Sequence, residues 1–111
     1  MQEQIRSMRI IAGKYRHRLI SWPTDKNTRP TKDRIREALF SILGESYNKS
    51  FLDLYSGSGG VGLEALSRGY VVHLNDKSNA SIKCIKSNIN NLHLDEFDKY
   101  ILVLMGFPQS G

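Results

Sequence analysis

The glycine-rich segment that follows Asp53 is the part of the sequence best suited to bind a ligand. Gly57, Gly59 and Gly62 form a Gly-x-Gly-x-x-Gly pattern. Glycines at this spacing let the backbone approach a ligand closely, and a helix that begins there offers free N–H groups and its positive dipole end to an anion. The pattern therefore predicts a nucleotide-type site at a junction between a strand and a helix.

Two carboxylates flank this loop in the sequence. Asp53 lies four residues before Gly57, and Asp76 lies 19 residues after it. A carboxylate at the second position can accept hydrogen bonds from ribose hydroxyls. Asp53 would repel a pyrophosphate but attract a ligand that carries an ammonium and a sulfonium, which favours S-adenosylmethionine over a nicotinamide or flavin dinucleotide. A purely structural role, with Asp53 capping a turn and Asp76 capping a helix, stays open.

The positive charge is concentrated in the first third of the chain. The 111 residues carry 16 Lys and Arg against 11 Asp and Glu, and residues 1–36 alone hold ten of the basic side chains and three of the acidic ones. Cations mixed with aromatic residues such as Tyr15 and Trp22 suit phosphate contacts and base stacking. We expect this segment to face a nucleic acid, with RNA favoured over duplex DNA; a solvated basic surface is the alternative.

The elements that must position these residues follow from the hydrophobic pattern. Extended runs at 9–11 and 16–20 predict a hairpin, and a helix is expected from an N-cap at Thr31 to a stop at Gly44. Its apolar positions at helical spacing are Ile35, Ala38, Leu39, Ile42 and Leu43, and its other face carries Lys32, Arg34 and Arg36. Strands at 51–55, 70–75 and 100–105 alternate with helices at 61–68 and 79–91. This order predicts half of a doubly wound parallel sheet.

Several classes of protein are disfavoured by the composition. Cys84 is the single cysteine, so no intramolecular disulfide can form, and no Cys/His spacing is typical of a zinc site. We expect it to be a core residue. No apolar run approaches the length of a membrane span. These features indicate a metal-free protein of the cytoplasm.

Three stretches of the sequence, at 8–16, 28–44 and 52–69, closely resemble the bacterial 16S rRNA (guanine-N2)-methyltransferase family. The Thr-Arg-Pro-Thr-x-Asp-Arg-x-Arg-Glu-Ala-Leu-Phe block from Thr28 to Phe40 is distinctive of that family. The resemblance implies a Rossmann-like α/β fold with a basic N-terminal β-hairpin, in which residues 1–30 form the extension and 31–111 part of the methyltransferase domain. It also implies S-adenosylmethionine as cofactor, 16S rRNA or the small ribosomal subunit as partner, and methyl transfer to the exocyclic N2 of a guanine.

The same resemblance assigns roles to individual residues. It implies cofactor binding by Asp53, Tyr55, Gly57, Ser58, Gly59 and Asp76. Asp76 stands where the family usually has a glutamate. It implies contact with RNA by Arg9, Lys14, Arg16, Arg18, Arg29, Thr31, Arg34 and Arg36.

The sequence departs from the family in its catalytic motif. The family carries Asn/Asp-Pro-Pro-Tyr/Phe after the fourth strand, whereas prolines occur here only at 23, 30 and 108. We therefore expect a shortened chain that is inactive alone, with no catalytic residue of its own and with the strand at 51–55 left as an open edge that favours self-association. A non-catalytic RNA-binding fragment is the main alternative, and part of a nicotinamide-dependent oxidoreductase is the third.

Overall fold

The computed structural model of the chain describes residues 7–21, 33–44, 49–53, 59–96 and 98–104. The elements in chain order are β1 (Ser7–Arg9), β2 (Leu19–Ser21), α1 (Asp33–Leu43), β3 (Ser50–Asp53), α2 (Gly60–Ser67), β4 (Val71–Asp76), α3 (Asn79–Leu92) and β5 (Tyr100–Leu104). Most bounds lie within one or two residues of those predicted. None of the helices described is long and apolar enough to cross a membrane.

A parallel sheet with strand order β3-β4-β5 forms the centre of the molecule. Helix α2 connects β3 to β4, and α3 connects β4 to β5. Val72 and Leu74 of β4 are fully buried, because the central strand is covered by its neighbours and by the helices. The predicted Rossmann-like half sheet is confirmed.

The N-terminal hairpin is also confirmed, with its first strand two residues earlier than predicted and its second strand shorter. β1 pairs with β2 in antiparallel register from Ser7↔Ser21 to Arg9↔Leu19. Ile10 and Ile20 are fully buried in the same apolar cluster as the sheet residues. The hairpin therefore shares the core of the molecule.

The end of β2 is fastened to α3 by a buried side chain. Asn88 accepts a hydrogen bond from the Ser21 backbone N–H at 3.0 Å and donates one to the Ser21 carbonyl oxygen at 2.7 Å. The thiol of Cys84 donates to the same carbonyl at 3.2 Å. Cys84 is half-buried at this contact, and burial raises its pKa, so it serves as a packing residue.

Helix α1 buries a different face from the one its apolar spacing indicates. Arg36 and Phe40 are buried, whereas Ile35 is 55% exposed and Ile42 is 84% exposed. Phe40 packs against the rings of Phe51 and Tyr70, with centroids 5.7 and 6.1 Å away. This aromatic cluster, together with the buried partner of Arg36 described below, sets the rotation of the helix.

Candidate functional site

Asp53 and Asp76 come together at the carboxyl-terminal edge of the sheet. Asp53 is the last residue of β3 and pairs with Leu74 of β4, so Asp76 lies two residues farther along the neighbouring strand. Strand geometry then puts the two Cα atoms about 8 Å apart. The crevice at this edge is where open α/β sheets bind their ligands.

Each carboxylate also takes part in a local hydrogen bond. The Asp53 Oδ2 atom accepts from the Gly62 N–H at 3.2 Å, in the first turn of α2. Asp76 is 9% exposed, and its Oδ1 atom accepts from the Ser78 N–H at 2.8 Å. A carboxylate offers about four lone-pair positions, so neither of these hydrogen bonds alone uses its full capacity as an acceptor.

The purely structural role considered for Asp76, capping a helix, is only partly observed. The side chain of Ser78, not that of Asp76, caps α3 by accepting from the Ser81 N–H at 3.3 Å. Asp76 instead holds the turn that leads to the cap. The structural role considered for Asp53, capping a turn, is observed more closely, since its carboxylate accepts a hydrogen bond from a backbone N–H in the first turn of α2.

The glycines of the loop permit the geometry on which the site depends. Gly59 precedes α2 with a φ of +83°, a left-handed backbone conformation that residues with a side chain rarely adopt. A Cβ at Gly62 would lie 2.1 Å from the Leu74 Cδ2 atom, so the buried Leu74 side chain would have to move if this residue were not glycine. Among the remaining cofactor residues expected from the sequence, Tyr55, Gly57 and Ser58 lie outside the described residues.

Apart from Arg36, the residues expected to meet RNA fall into three groups. Arg9, Arg16, Arg18 and Arg34 are exposed. Lys14 forms ion pairs with Asp95 at 2.8 Å and with Asp98 at 3.1 Å, and the hydrogen bond that its ammonium donates to Asp95 is the main cause of its raised pKa. Arg29 and Thr31 lie outside the described residues. Lys14 is therefore engaged within the protein, while the four exposed arginines are available to a partner.

Arg36 is a correction to the sequence-based expectation. Its side chain is fully buried, and its Nη1 atom donates to the Glu64 Oε1 atom at 3.0 Å. Its Nη2 atom donates to the Arg9 carbonyl oxygen at 2.9 Å and also pairs with Asp33. A group enclosed in this way cannot reach a nucleic acid, so Arg36 connects α1 to the hairpin and to α2.

Glu64 is the residue that sequence reasoning missed. It is fully buried on α2, and its carboxylate also accepts from the backbone N–H groups of Ile11 and Ala12, at 2.8 and 3.1 Å, and from Arg68 Nε at 2.9 Å. One carboxylate thus joins the hairpin, α1 and α2. The available signal was that Glu64 is the single charged residue in the apolar run from 59 to 67, because a charge in such a run needs buried partners.

Known proteins with similar sequences span more chain than this one. A ribosomal RNA small subunit methyltransferase D from Buchnera aphidicola is 40% identical over 101 residues, which cover 84% of this chain and 52% of the relative. The YlbH protein of Bacillus subtilis, named as a candidate rRNA methyltransferase, is 38% identical over 89 residues, covering 78% of this chain and 48% of the relative. The chain therefore spans about half the length of these curated relatives.

Solved structures of similar proteins also share this fold and span more chain than this one. The yhhF protein of Escherichia coli, named as a candidate methyltransferase, superimposes with a TM-score of 0.76 at 31% identity, covering 89% of this chain and 52% of that one. The Thermus thermophilus protein TTHA0928 gives a TM-score of 0.75 at 32% identity, covering 88% and 55%.

The family model described as conserved hypothetical protein 95 matches residues 8–106. The fold, the paired carboxylates and the relatives named as rRNA methyltransferases all agree with this match. The chain therefore belongs to this family, the bacterial rRNA small subunit methyltransferase family that its sequence resembles.

Proposed function

We propose that this chain is the cofactor-binding part of an S-adenosylmethionine-dependent methyltransferase that acts on the exocyclic N2 of a guanine in 16S rRNA. One observation carries the cofactor assignment: Asp53 and Asp76 end two adjacent parallel strands, beside the left-handed Gly59 and the first turn of α2. The choice of nucleotide rests on the family resemblance and on the relatives named as small subunit methyltransferases.

The residues present fit the chemistry of this cofactor. The carboxylate of Asp53 suits the ammonium of the methionine part, and the carboxylate of Asp76 suits the ribose hydroxyls. Gly59, at the N-cap of α2, has no side chain to cap the helix, and α2 begins beside the end of β3, where Asp53 accepts from the Gly62 N–H. The positive end of the helix dipole therefore lies at the same edge. When bound, the cofactor supplies an electrophilic methyl group on a sulfonium.

The chain's own contribution to catalysis would be to position this cofactor. An exocyclic guanine amine is a weak nucleophile, so it must be held in line with the methyl group while positive charge develops on its nitrogen. The family does this with its Asn/Asp-Pro-Pro-Tyr/Phe motif, and no adjacent prolines occur in this sequence. We therefore expect the 111-residue chain to bind the cofactor without methylating rRNA.

Calorimetry with S-adenosylmethionine tests this function. We expect the purified chain to bind it, and D53N or D76N to weaken the affinity by about tenfold or more, because each removes a charge-assisted contact while conserving side-chain shape. E37Q is the matched control, since Glu37 is an exposed carboxylate on α1. Equal affinities in all four proteins, or no binding by the unchanged chain, would contradict the proposal.

A non-catalytic RNA-binding fragment is the second candidate. The exposed Arg9, Arg16, Arg18 and Arg34 favour it. It predicts salt-sensitive RNA binding without any heat of binding for S-adenosylmethionine. The calorimetric experiment therefore separates the two candidates, and competition by NADH for the same site would indicate the dinucleotide alternative.

Self-association is a further part of the proposal. Among the described residues β3 pairs with β4 alone, so its other edge is unpaired. Leu52 of that strand is 62% exposed. An unpaired strand edge with apolar side chains is a template for pairing with a second chain.

A further inference from the structure

Helix α2 links the cofactor edge of the sheet to the N-terminal hairpin. We propose that Glu64 is a positioning residue for the cofactor: by holding residues 11–15 of the hairpin against the side of α2, it fixes the first turn of that helix at the cofactor edge. Docking of the hairpin and binding of S-adenosylmethionine are then coupled, so that each strengthens the other. The inference rests on the proposed function, because it takes the ligand at that edge to be the cofactor. We call residues 11–15 the docking segment.

The Glu64 carboxylate uses both of its oxygens to hold the docking segment. Its Oε1 atom accepts from the Ile11 N–H at 2.8 Å and from Arg36 Nη1 at 3.0 Å. Its Oε2 atom accepts from the Ala12 N–H at 3.1 Å and from Arg68 Nε at 2.9 Å. A carboxylate has about four lone-pair positions, and these four donors occupy them. The group therefore cannot turn without breaking a bond to the hairpin or to a guanidinium.

Ser67 attaches the same segment one helical turn farther along α2. Its carbonyl oxygen accepts from the Lys14 N–H at 2.8 Å. Its hydroxyl accepts from the Tyr15 N–H at 2.9 Å and donates to the Ala12 carbonyl oxygen at 2.7 Å. Residues three apart lie on one face of a helix, so Glu64 and Ser67 present the same face to the hairpin. The docking segment is thus bonded to the second half of this eight-residue helix.

The first turn of α2 belongs to the cofactor edge. The Gly62 N–H donates to the Asp53 Oδ2 atom at 3.2 Å, and Gly62 lies two residues before Glu64 on the same helix. At a rise of about 1.5 Å per residue, α2 is about 12 Å long. A helix this short moves as one body. A shift of its second half therefore displaces the N–H groups that the proposed site offers to the cofactor.

The chemistry of the network indicates orientation rather than added stability. Arg36 and Glu64 are both fully buried. A buried ion pair is often no more stabilising than well-packed apolar residues, because both charges lose their hydration. Its hydrogen bonds are directional, however. Four directed bonds on one carboxylate fix the rotation of α2 and its position along its axis, which apolar contacts alone specify less closely.

Two variants separate positioning from stability. R36M removes one buried charge but leaves the Glu64 bonds to Ile11 and Ala12 in place. R36M/E64Q removes both charges of the buried pair, so it should be the more stable of the two proteins. The introduced amide has a single acceptor oxygen, and its own N–H groups meet the second hairpin N–H. The docking segment is therefore loosened only in the double variant.

Calorimetry with S-adenosylmethionine on the folded proteins measures the effect. We expect R36M to bind within about twofold of the unchanged chain, and R36M/E64Q to bind at least about fivefold more weakly, the lower end of typical coupling between two sites. An effect of stability alone would give the reverse order, because the apparent affinity then falls only with the folded fraction. Equal binding by R36M/E64Q and the unchanged chain, or weaker binding by R36M than by R36M/E64Q, would overturn the proposal.

A milder pair of variants leaves the buried charges untouched. S67A removes the hydroxyl that bonds to Ala12 and Tyr15. Y70F is the matched control, because it removes a buried hydroxyl that donates to the Gly44 carbonyl oxygen at 2.9 Å and touches no hairpin residue. We expect S67A to weaken cofactor binding by about twofold to fivefold and Y70F to leave it unchanged. Equal affinities in this pair would refute the positioning role, even where the first pair fails to fold.

The two proposals fail in different ways. If the unchanged chain does not bind S-adenosylmethionine, or if D53N binds it equally well, the cofactor assignment fails and the positioning role fails with it. If D53N weakens binding while R36M/E64Q and S67A do not, the cofactor assignment stands and the positioning role of Glu64 is refuted.

Discussion

At the residue scale, the placement of Asp53 and Asp76 at one edge of the sheet was predictable, and the buried charges were not. The positions of Asp53 and Asp76 follow from a local pattern, since each ends a strand beside a glycine loop or a turn. Arg36 looked like an RNA contact because its partner, Glu64, lies 28 residues away in the sequence. Spacing within one helix cannot reveal a partner on another element.

The buried ion pair of Arg36 and Glu64 leads to a prediction about the stability of the fold. R36M keeps the length of the side chain and removes its charge, leaving Glu64 with fewer donors in the interior. We expect a loss of about 3 kcal/mol in the free energy of unfolding, measured by urea denaturation. R34M, at an exposed position of the same helix, is the control and should change stability by no more than about 0.5 kcal/mol. Similar losses in both variants would mean that Arg36 does not occupy the interior.

At the element scale, the existence and approximate bounds of the helices and strands were predictable, but the rotation of α1 was not. Its apolar spacing placed Ile35 and Ile42 on the buried face, yet both are exposed, and of that face only Leu39 packs partly against the core. The aromatic cluster around Phe40 forms with residues of β3 and of the start of β4, so it depends on tertiary contacts.

The observed rotation of α1 predicts opposite outcomes for two truncations. F40A empties a buried aromatic site, and we expect it to cost about 3 to 5 kcal/mol. I42A removes an exposed side chain, so its effect should stay within about 0.5 kcal/mol. Thermal or urea unfolding of both variants measures this difference. The reverse order would show that the face predicted from the apolar spacing is the buried one.

The docking of the hairpin predicts a dependence on alkaline pH. Burial, with the hydrogen bond to Asp98, raises the pKa of Tyr15 above its usual value of 10.0. The neutral phenol is thus favoured by folding, so its contribution to stability is present below about pH 10 and is lost as the pH rises through the raised pKa. Lys14, whose pKa is also raised, loses its contribution in the same direction.

Denaturation at a series of pH values from about 8 to about 12 measures this effect. We expect the free energy of unfolding to fall at the alkaline end, and Y15F to be less stable at neutral pH with a shallower alkaline decline. A decline of the same steepness in Y15F would contradict a role for the Tyr15 phenol.

At the scale of the whole molecule, the parallel three-stranded sheet was predictable from the alternation of strands and helices. The close docking of the hairpin was not, because it depends on backbone groups of Ile11 and Ala12 that meet a carboxylate on α2. Backbone hydrogen bonds between distant segments leave no composition or spacing signal.

Within the described ranges one edge of β3 is unpaired, and this predicts concentration-dependent self-association. Sedimentation velocity should show species larger than a monomer as the concentration rises, and L52K should reduce them, because a charge on an edge strand opposes pairing. I42K is the control, since Ile42 is 84% exposed on α1 and lies on neither edge of the sheet. A monomer at every concentration would rule out this association, and equal effects of both variants would place it elsewhere.

The central claim is that the carboxyl-terminal edge of the sheet binds S-adenosylmethionine. Titration of the ¹⁵N-labelled chain with this cofactor, followed by amide chemical shifts, tests it most directly. We predict shifts at Asp53, at Gly59 to Gly62 and at Asp76 to Ser78, and their loss in D53N. Absence of shifts at saturating cofactor, or shifts confined to the groove of Lys83, Lys86 and Leu102 between α3 and β5, would contradict the claim.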